Sequence, residues 1–121
     1  MSTPDTMEET KARRTAMLRT AFCQTVREAL EDPTTIEVMA NPDGSVWVEK
    51  AGIGIVVTKA SLDAAARERV IRLVAAGARD ARLKIASPIV SAELPSTGER
   101  FEGLLPPVAT APCFSIRKPA T

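Results

Sequence analysis

The strongest constraint on this chain is the alternation in its last third, Ser87 to Pro119, where apolar and polar residues take turns along three short runs. A period of two is the mark of a half-buried strand. In the first run Val90, Ala92 and Leu94 share one face, with Ser91 and Glu93 on the other. In the second, Phe101, Gly103 and Leu105 oppose Arg100, Glu102 and Leu104. In the third, Phe114 and Ile116 oppose Cys113, Ser115 and Arg117. With the apolar rows turned to one core, the other face collects Glu93, Arg100, Glu102, Ser115 and Arg117. Such a face can stay in water, take an anionic ligand or meet a partner.

The same alternation occurs upstream. Ile36, Val38 and Ala40 oppose Glu37, Met39 and Asn41, and after the turn Asn41-Pro42-Asp43-Gly44 the chain returns with Val46 and Val48 inward and Trp47 and Glu49 outward. Proline presets the second turn position, and Gly44 supplies the positive φ that closes the loop. A turn at Ala51-Gly52 leads into a third run, Ile53 to Thr58. Trp47 on the outer face calls for cover, either from the N-terminal helix or from a subunit contact.

Two stretches have helical spacing instead. Met7 to Glu31 lacks Gly and Pro and repeats Leu18, Phe22, Val26 and Leu30, so one helix is expected up to Asp32-Pro33. A helix that long spans about 37 Å, against about 20 Å for a six-residue strand. Its charged front, Glu8 to Arg19, should therefore overhang the sheet, either solvated or as an arm on a neighbour or a membrane surface. Ser61 is the expected N-cap of the second helix, followed by Leu62, Ala66, Val70, Leu73 or Val74, and Gly77. Arg67, Arg69 and Arg72 read as its solvated stripe, and Arg79 to Ala86 as a mixed connection. The fold expected is α+β: a mainly antiparallel sheet of about six strands in two three-stranded meanders, with a long N-terminal helix and a second helix between the meanders.

At 121 residues the chain suits one domain with one modest core. The expected division is a polar arm and front half of the first helix over 1–19, a single domain over 20–118, and the start of a linker over 119–121. A net charge of +1 does not call for nucleic acid or an anionic membrane. There is no His, which removes His-based triads and most zinc sites. There is no Tyr and only three Phe and one Trp, so base-stacking platforms are poorly supplied. Cys23 and Cys113 fit no metal or redox spacing and read as small buried hydrophobes. No apolar run or leader-like segment points to a span or to export, so a cytoplasmic location is expected.

No complete catalytic set is present. Gly52 and Gly54 precede Lys59, but Thr58 stands where a phosphate loop needs glycine, and these glycines sit inside a β-branched run. Glu93 and Glu102 beside two arginines read as ionised salt-bridge partners. No metal site is expected. The binding candidates are Arg100 and Arg117, whose guanidinium forks suit phosphate or carboxylate. Surface ion pairs remain the competing account of both.

The runs IEVMANPDGSVWVEKAG and PIVSAELPSTGERFEGLLPPVATAPCFSIRKP together resemble the N-terminal domain of the TrbB-type conjugal-transfer and type IV secretion traffic ATPases, from about Thr20 onward. The resemblance implies cytoplasmic hexameric rings that associate peripherally with the inner membrane and with secretion components there. It implies that ATP lies between this domain and a motor domain, with magnesium held by the motor, and that Arg100 and Arg117 contact the ATP phosphates. The sequence departs from the family by ending at Thr121, without the phosphate loop and the rest of the motor. The expectation is an oligomerising, nucleotide-closing domain that does not hydrolyse ATP alone and makes no sequence-specific nucleic-acid contact. The alternative is a stand-alone truncated adaptor that binds a full-length ring or another secretion component. A weaker third reading, an anion- or nucleic-acid-binding module, rests on Arg67, Arg69, Arg72 and Arg79.

Overall fold

The computed structural model describes residues 6–77, 87–94 and 97–119. Its elements run α1 (Met7–Ala21), α2 (Gln24–Glu31), β1 (Thr35–Ala40), β2 (Ser45–Lys50), β3 (Gly54–Ser61), α3 (Ala64–Gly77), β4 (Ile89–Glu93), β5 (Arg100–Leu104) and β6 (Cys113–Arg117). The expected connection Arg79 to Ala86 lies outside the described residues.

All six strands join one antiparallel sheet in the order β3-β2-β1-β6-β5-β4. Each meander keeps its own order, and the first strand of one pairs with the last strand of the other. Val38 faces Ile116 and Ala40 faces Phe114 across that seam. The α+β architecture anticipated from the alternation is thus the one observed. β3 is longer than expected, reaching Ser61.

The N-terminal helix is two helices, which corrects the single helix expected over Met7 to Glu31. Thr6 caps α1 through a reciprocal box: the Glu9 N–H donates to the Thr6 hydroxyl at 3.1 Å, and the Thr6 N–H to the Glu9 carboxylate at 3.2 Å. Phe22 and Cys23 then adopt extended backbone, with ψ of 143° and 164°. The carbonyls freed at this break are met by Arg27, which donates to Arg19 O at 3.1 Å and to Phe22 O. The break resolves the length mismatch between helix and sheet. α2 folds back over β1 while α1 runs beside α3. The front of α1, Glu8 to Arg14, is exposed apart from half-buried Thr10.

Both helical layers lie on one face of the sheet. Leu18, Phe22, Val26 and Ala29 from α1–α2, and Val70, Ile71, Val74 and Ala75 from α3, close over Val38, Val46, Val90, Phe101, Phe114 and Ile116. Phe101 stacks on Phe114 with ring centroids 5.4 Å apart. Gly103 lets α3 approach: a Cβ there would stand 2.8 Å from Ile71 Cγ1. At the β1–β2 turn Gly44 has φ of 95°, as the turn chemistry requires, and its N–H bonds to Asn41 O at 2.9 Å.

Two further expectations change. Ser61 ends β3, and the cap of α3 is Asp63, whose carboxylate accepts from the Ala66 N–H at 2.8 Å. Trp47 is not covered by the N-terminal helix. It lies on the face without helices and is 36% exposed.

Candidate functional site

The helix-free face is organised as rows that run across every strand. One row reads Glu93, Arg100, Arg117, Glu37, Glu49, Ile55 from β4 to β3. The next reads Ser91, Glu102, Ser115, Met39, Trp47, Val57. The two arginines thus lie over β5 and β6, flanked by Glu93 and Glu37, and the exposed apolar side chains gather over β1–β2–β3, with Glu49 among them.

Arg100 and Arg117 are direct cross-strand partners, both exposed. The sequence had placed them on one outward face, and the register adds that they stand opposite each other. Opposed side chains carry their Cβ atoms roughly 5 Å apart, and like charges so placed are destabilising. The acidic partners differ from those expected. Arg117 pairs with Glu37 of β1 at 3.5 Å, not with Glu93 or Glu102. That contact is long, and Arg117 keeps 66% of its side chain in solvent, so it restrains the guanidinium weakly. Glu93 lies on the other side of Arg100 in the row. Two forks rising from neighbouring strands can grip a tetrahedral or planar anion from one side.

The apolar end of the face is equally exposed. Ile53 is 71%, Ile55 57% and Val57 61% exposed, and β3 is an edge strand. A long exposed apolar edge is a surface that natural proteins cover or use.

Two buried charges escaped the sequence reading. Arg67, assigned to a solvated stripe, is 3% exposed. Its guanidinium donates to Leu62 O, to Pro112 O and, at 2.8 Å, to Pro42 O, tying three loops at one end of the sheet. This removes Arg67 from the basic stripe, leaving Arg69 and Arg72 exposed on α3, while Arg79 lies outside the described residues. Glu99, at 8% exposure, is the second. Cys23 and Cys113 are half-buried free thiols, and burial pushes the Cys113 thiol up despite Arg67 nearby. Among the described residues no group of His, Cys, Asp or Glu is placed to hold a metal ion, and no helix is long and apolar enough to cross a membrane.

A helix-backed antiparallel sheet of this order defines a class. It is shared with the VirB11 ATPase of the Brucella suis type IV secretion system, solved in complex with sulphate, at a TM-score of 0.74 and 29% identity over 93% of this chain and 33% of that one. No family model matches the chain. Among curated sequences it is 47% identical over 93 residues to the conjugal transfer protein TrbB of Rhizobium radiobacter, and 44% identical to a probable TrbB of Sinorhizobium fredii. The chain belongs to the TrbB-type family of secretion ATPases and corresponds to its N-terminal domain. The matches cover 77% of the chain and 28% of the length of those relatives.

Proposed function

We propose that this domain is the oligomerising and nucleotide-closing part of a hexameric ATPase that powers conjugative DNA transfer through a type IV secretion system. In this reading Arg100 and Arg117 meet the phosphates of ATP, which a motor domain holds together with magnesium. The observation that carries it is the direct opposition of two exposed arginines on a bare sheet face. Folding alone gains nothing from placing like charges there, whereas a phosphate between them would neutralise both. The donor set fits the group: guanidinium forks are the side chains best matched to phosphate oxygens and hold their charge in any environment. When bound, ATP supplies the phosphoryl group to be transferred. Arg100 and Arg117 orient its oxygens and offset the charge that develops there. The sulphate in the Brucella suis relative is a tetrahedral anion of the same shape class.

The oligomerising half of the proposal is supported by the apolar edge at Ile53, Ile55 and Val57, next to Trp47. Neighbouring subunits of the ring are the expected cover, with inner-membrane secretion components as further contacts of the machine.

The test joins this domain to the remaining segment of a TrbB relative and compares Arg100→Ala and Arg117→Ala with the parent. An arginine acting on transition-state charge is worth on the order of 10³–10⁵ in rate. Turnover should collapse while the domain's unfolding midpoint moves little, because both side chains are exposed. Parental turnover in both variants would sink the assignment. The domain alone should show no hydrolysis.

A further inference from the structure

A concave feature lies on the opposite face, between the α1–α2 elbow and the β4–β5 turn. It is a cavity of about 120 Å³ walled by Leu18, Phe22, Leu30 and Leu94. Four charged groups line it: Arg19, Arg27, Glu31 and Glu99. Three have partners. Arg19 pairs with Glu31 at the exposed rim, and Arg27 is spent on the carbonyls of Arg19 and Phe22. Glu99 is different. It is 92% buried, and its Oε2, sealed from solvent, has no hydrogen-bond partner among the described residues.

The backbone holds this carboxylate inside. Leu94 N–H bonds to Glu99 O at 2.8 Å, and Gly98 N–H to Leu94 O at 3.2 Å, closing the turn with Gly98 at φ of 78°. Phe101, two residues on, is fully buried. Glu99 shares its parity, so it enters the core side of the sheet by register. A buried carboxylate oxygen left unpaired is expensive.

We propose that this pocket receives a lysine side chain from a partner protein. The apolar walls match a four-carbon stem, and the acid at the base matches its ammonium. A volume of about 120 Å³ is the share of roughly four waters, which accommodates a stem and head of five heavy atoms. With Oε2 sealed from solvent, an entering group meets the Glu99 carboxylate through its other oxygen alone, a monodentate acceptor. It suits a compact ammonium with rotatable donors better than a planar fork, which seeks two oxygens. The proposal is independent of the nucleotide reading, since it uses the other face and none of its residues.

The experiment titrates the whole 15N-labelled chain with Nα-acetyl-lysine N-methylamide, following the amides of Phe22, Leu94, Gly98 and Glu99. The norleucine analogue supplies the same stem without charge, and the arginine analogue supplies the fork. Saturable shifts confined to the pocket are expected with the lysine probe. Affinity should be lower by on the order of tenfold or more for norleucine, and for lysine against Glu99→Gln, which is the worth of one charge-assisted hydrogen bond. Exposed Glu102→Gln should bind as the parent does. Should Glu99→Gln fail to fold, Thr97→Lys serves instead: Thr97 lines the mouth, and a tethered ammonium there should block the probe. Absence of saturable shifts, equal binding of norleucine, unchanged binding in Glu99→Gln or a tighter arginine probe each overturns the proposal.

Discussion

Replacing Arg67 with methionine should cost this domain about 3–5 kcal/mol, although the residue touches no proposed ligand. Methionine keeps most of the buried stem, so the loss isolates the guanidinium. Three backbone carbonyls, Pro42 O, Leu62 O and Pro112 O, lose their donor together. A buried acceptor stripped of its partner costs about 1–3 kcal/mol. Some water will reach Pro42 O, whose bond is only partly buried, so the sum stays below the upper limit. Net stabilities of about 5–15 kcal/mol are usual for a domain, so the variant should fold with a thin margin. With a urea slope of about 1.5–2 kcal/mol/M, the midpoint should fall by about 2 M. Far-ultraviolet circular dichroism and the fluorescence of Trp47, the single tryptophan, should report the same transition. Arg67→Lys should recover less than half of the loss, because one ammonium does not span three carbonyls from loops this far apart in sequence. Arg69→Met, on the exposed side of α3, should lie within about 0.5 kcal/mol of the parent. A loss below about 1 kcal/mol for Arg67→Met would refute the reasoning: it would mean that water serves those carbonyls as well as the guanidinium does.

Two further outcomes follow from local geometry. The Asp32 carboxyl is lowered from 3.8 to about 2 by the Thr34 backbone N–H, the Thr34 hydroxyl and then Lys50. A depressed native pKa contributes stability that is complete above the unfolded value and disappears as pH falls through the native one, so melting temperature should drop as pH goes from about 4 to 2. Asp32→Asn should flatten that part of the profile in a series of thermal melts, and an unchanged slope would deny Asp32 its role. Gly103→Ala should cost about 1–3 kcal/mol in urea unfolding, because the added carbon meets Ile71 at 2.8 Å and Phe101 at 2.9 Å. A neutral result would show that α3 can lift off β5 freely.

The sheet was legible because its signal is short-range and repeated. Apolar and polar residues alternate along the strands other than β3, so the faces of Val38, Val48, Phe101, Phe114 and Ile116 follow from parity alone, and so does the shared face of Arg100 and Arg117. The pairing of the meanders through β1 and β6 was not legible, since nothing local in either strand names its partner. The opposition of the two arginines and the Glu37 contact depend on that pairing. The helix break was hidden for a different reason. Leu18, Phe22 and Val26 keep helical spacing through it, and no Gly or Pro marks it. Its stabiliser is a side chain five residues further on, Arg27 reaching back to Phe22 O. Asp63 displaced Ser61 as the cap because β3 runs on to Ser61 as a strand, a matter of pairing with β2 and not of cap chemistry.

The two buried charges share a cause. Arg67 lies three residues before Val70 and seven before Val74, on the apolar side of α3, and Glu99 has the parity of Phe101 and Gly103. Periodicity alone would place both inside, but Arg67 was read by the usual exposure of charged residues and Glu99 was not read at all. That habit holds because water is normally the best partner for a charge. It fails for Arg67 because three carbonyls, brought together only by the fold, replace water. At the Glu99 Oε2 no described group supplies such a replacement. When a charged residue falls on the apolar phase of a regular element, its partner should therefore be sought in the fold first, and outside the chain when the fold offers none.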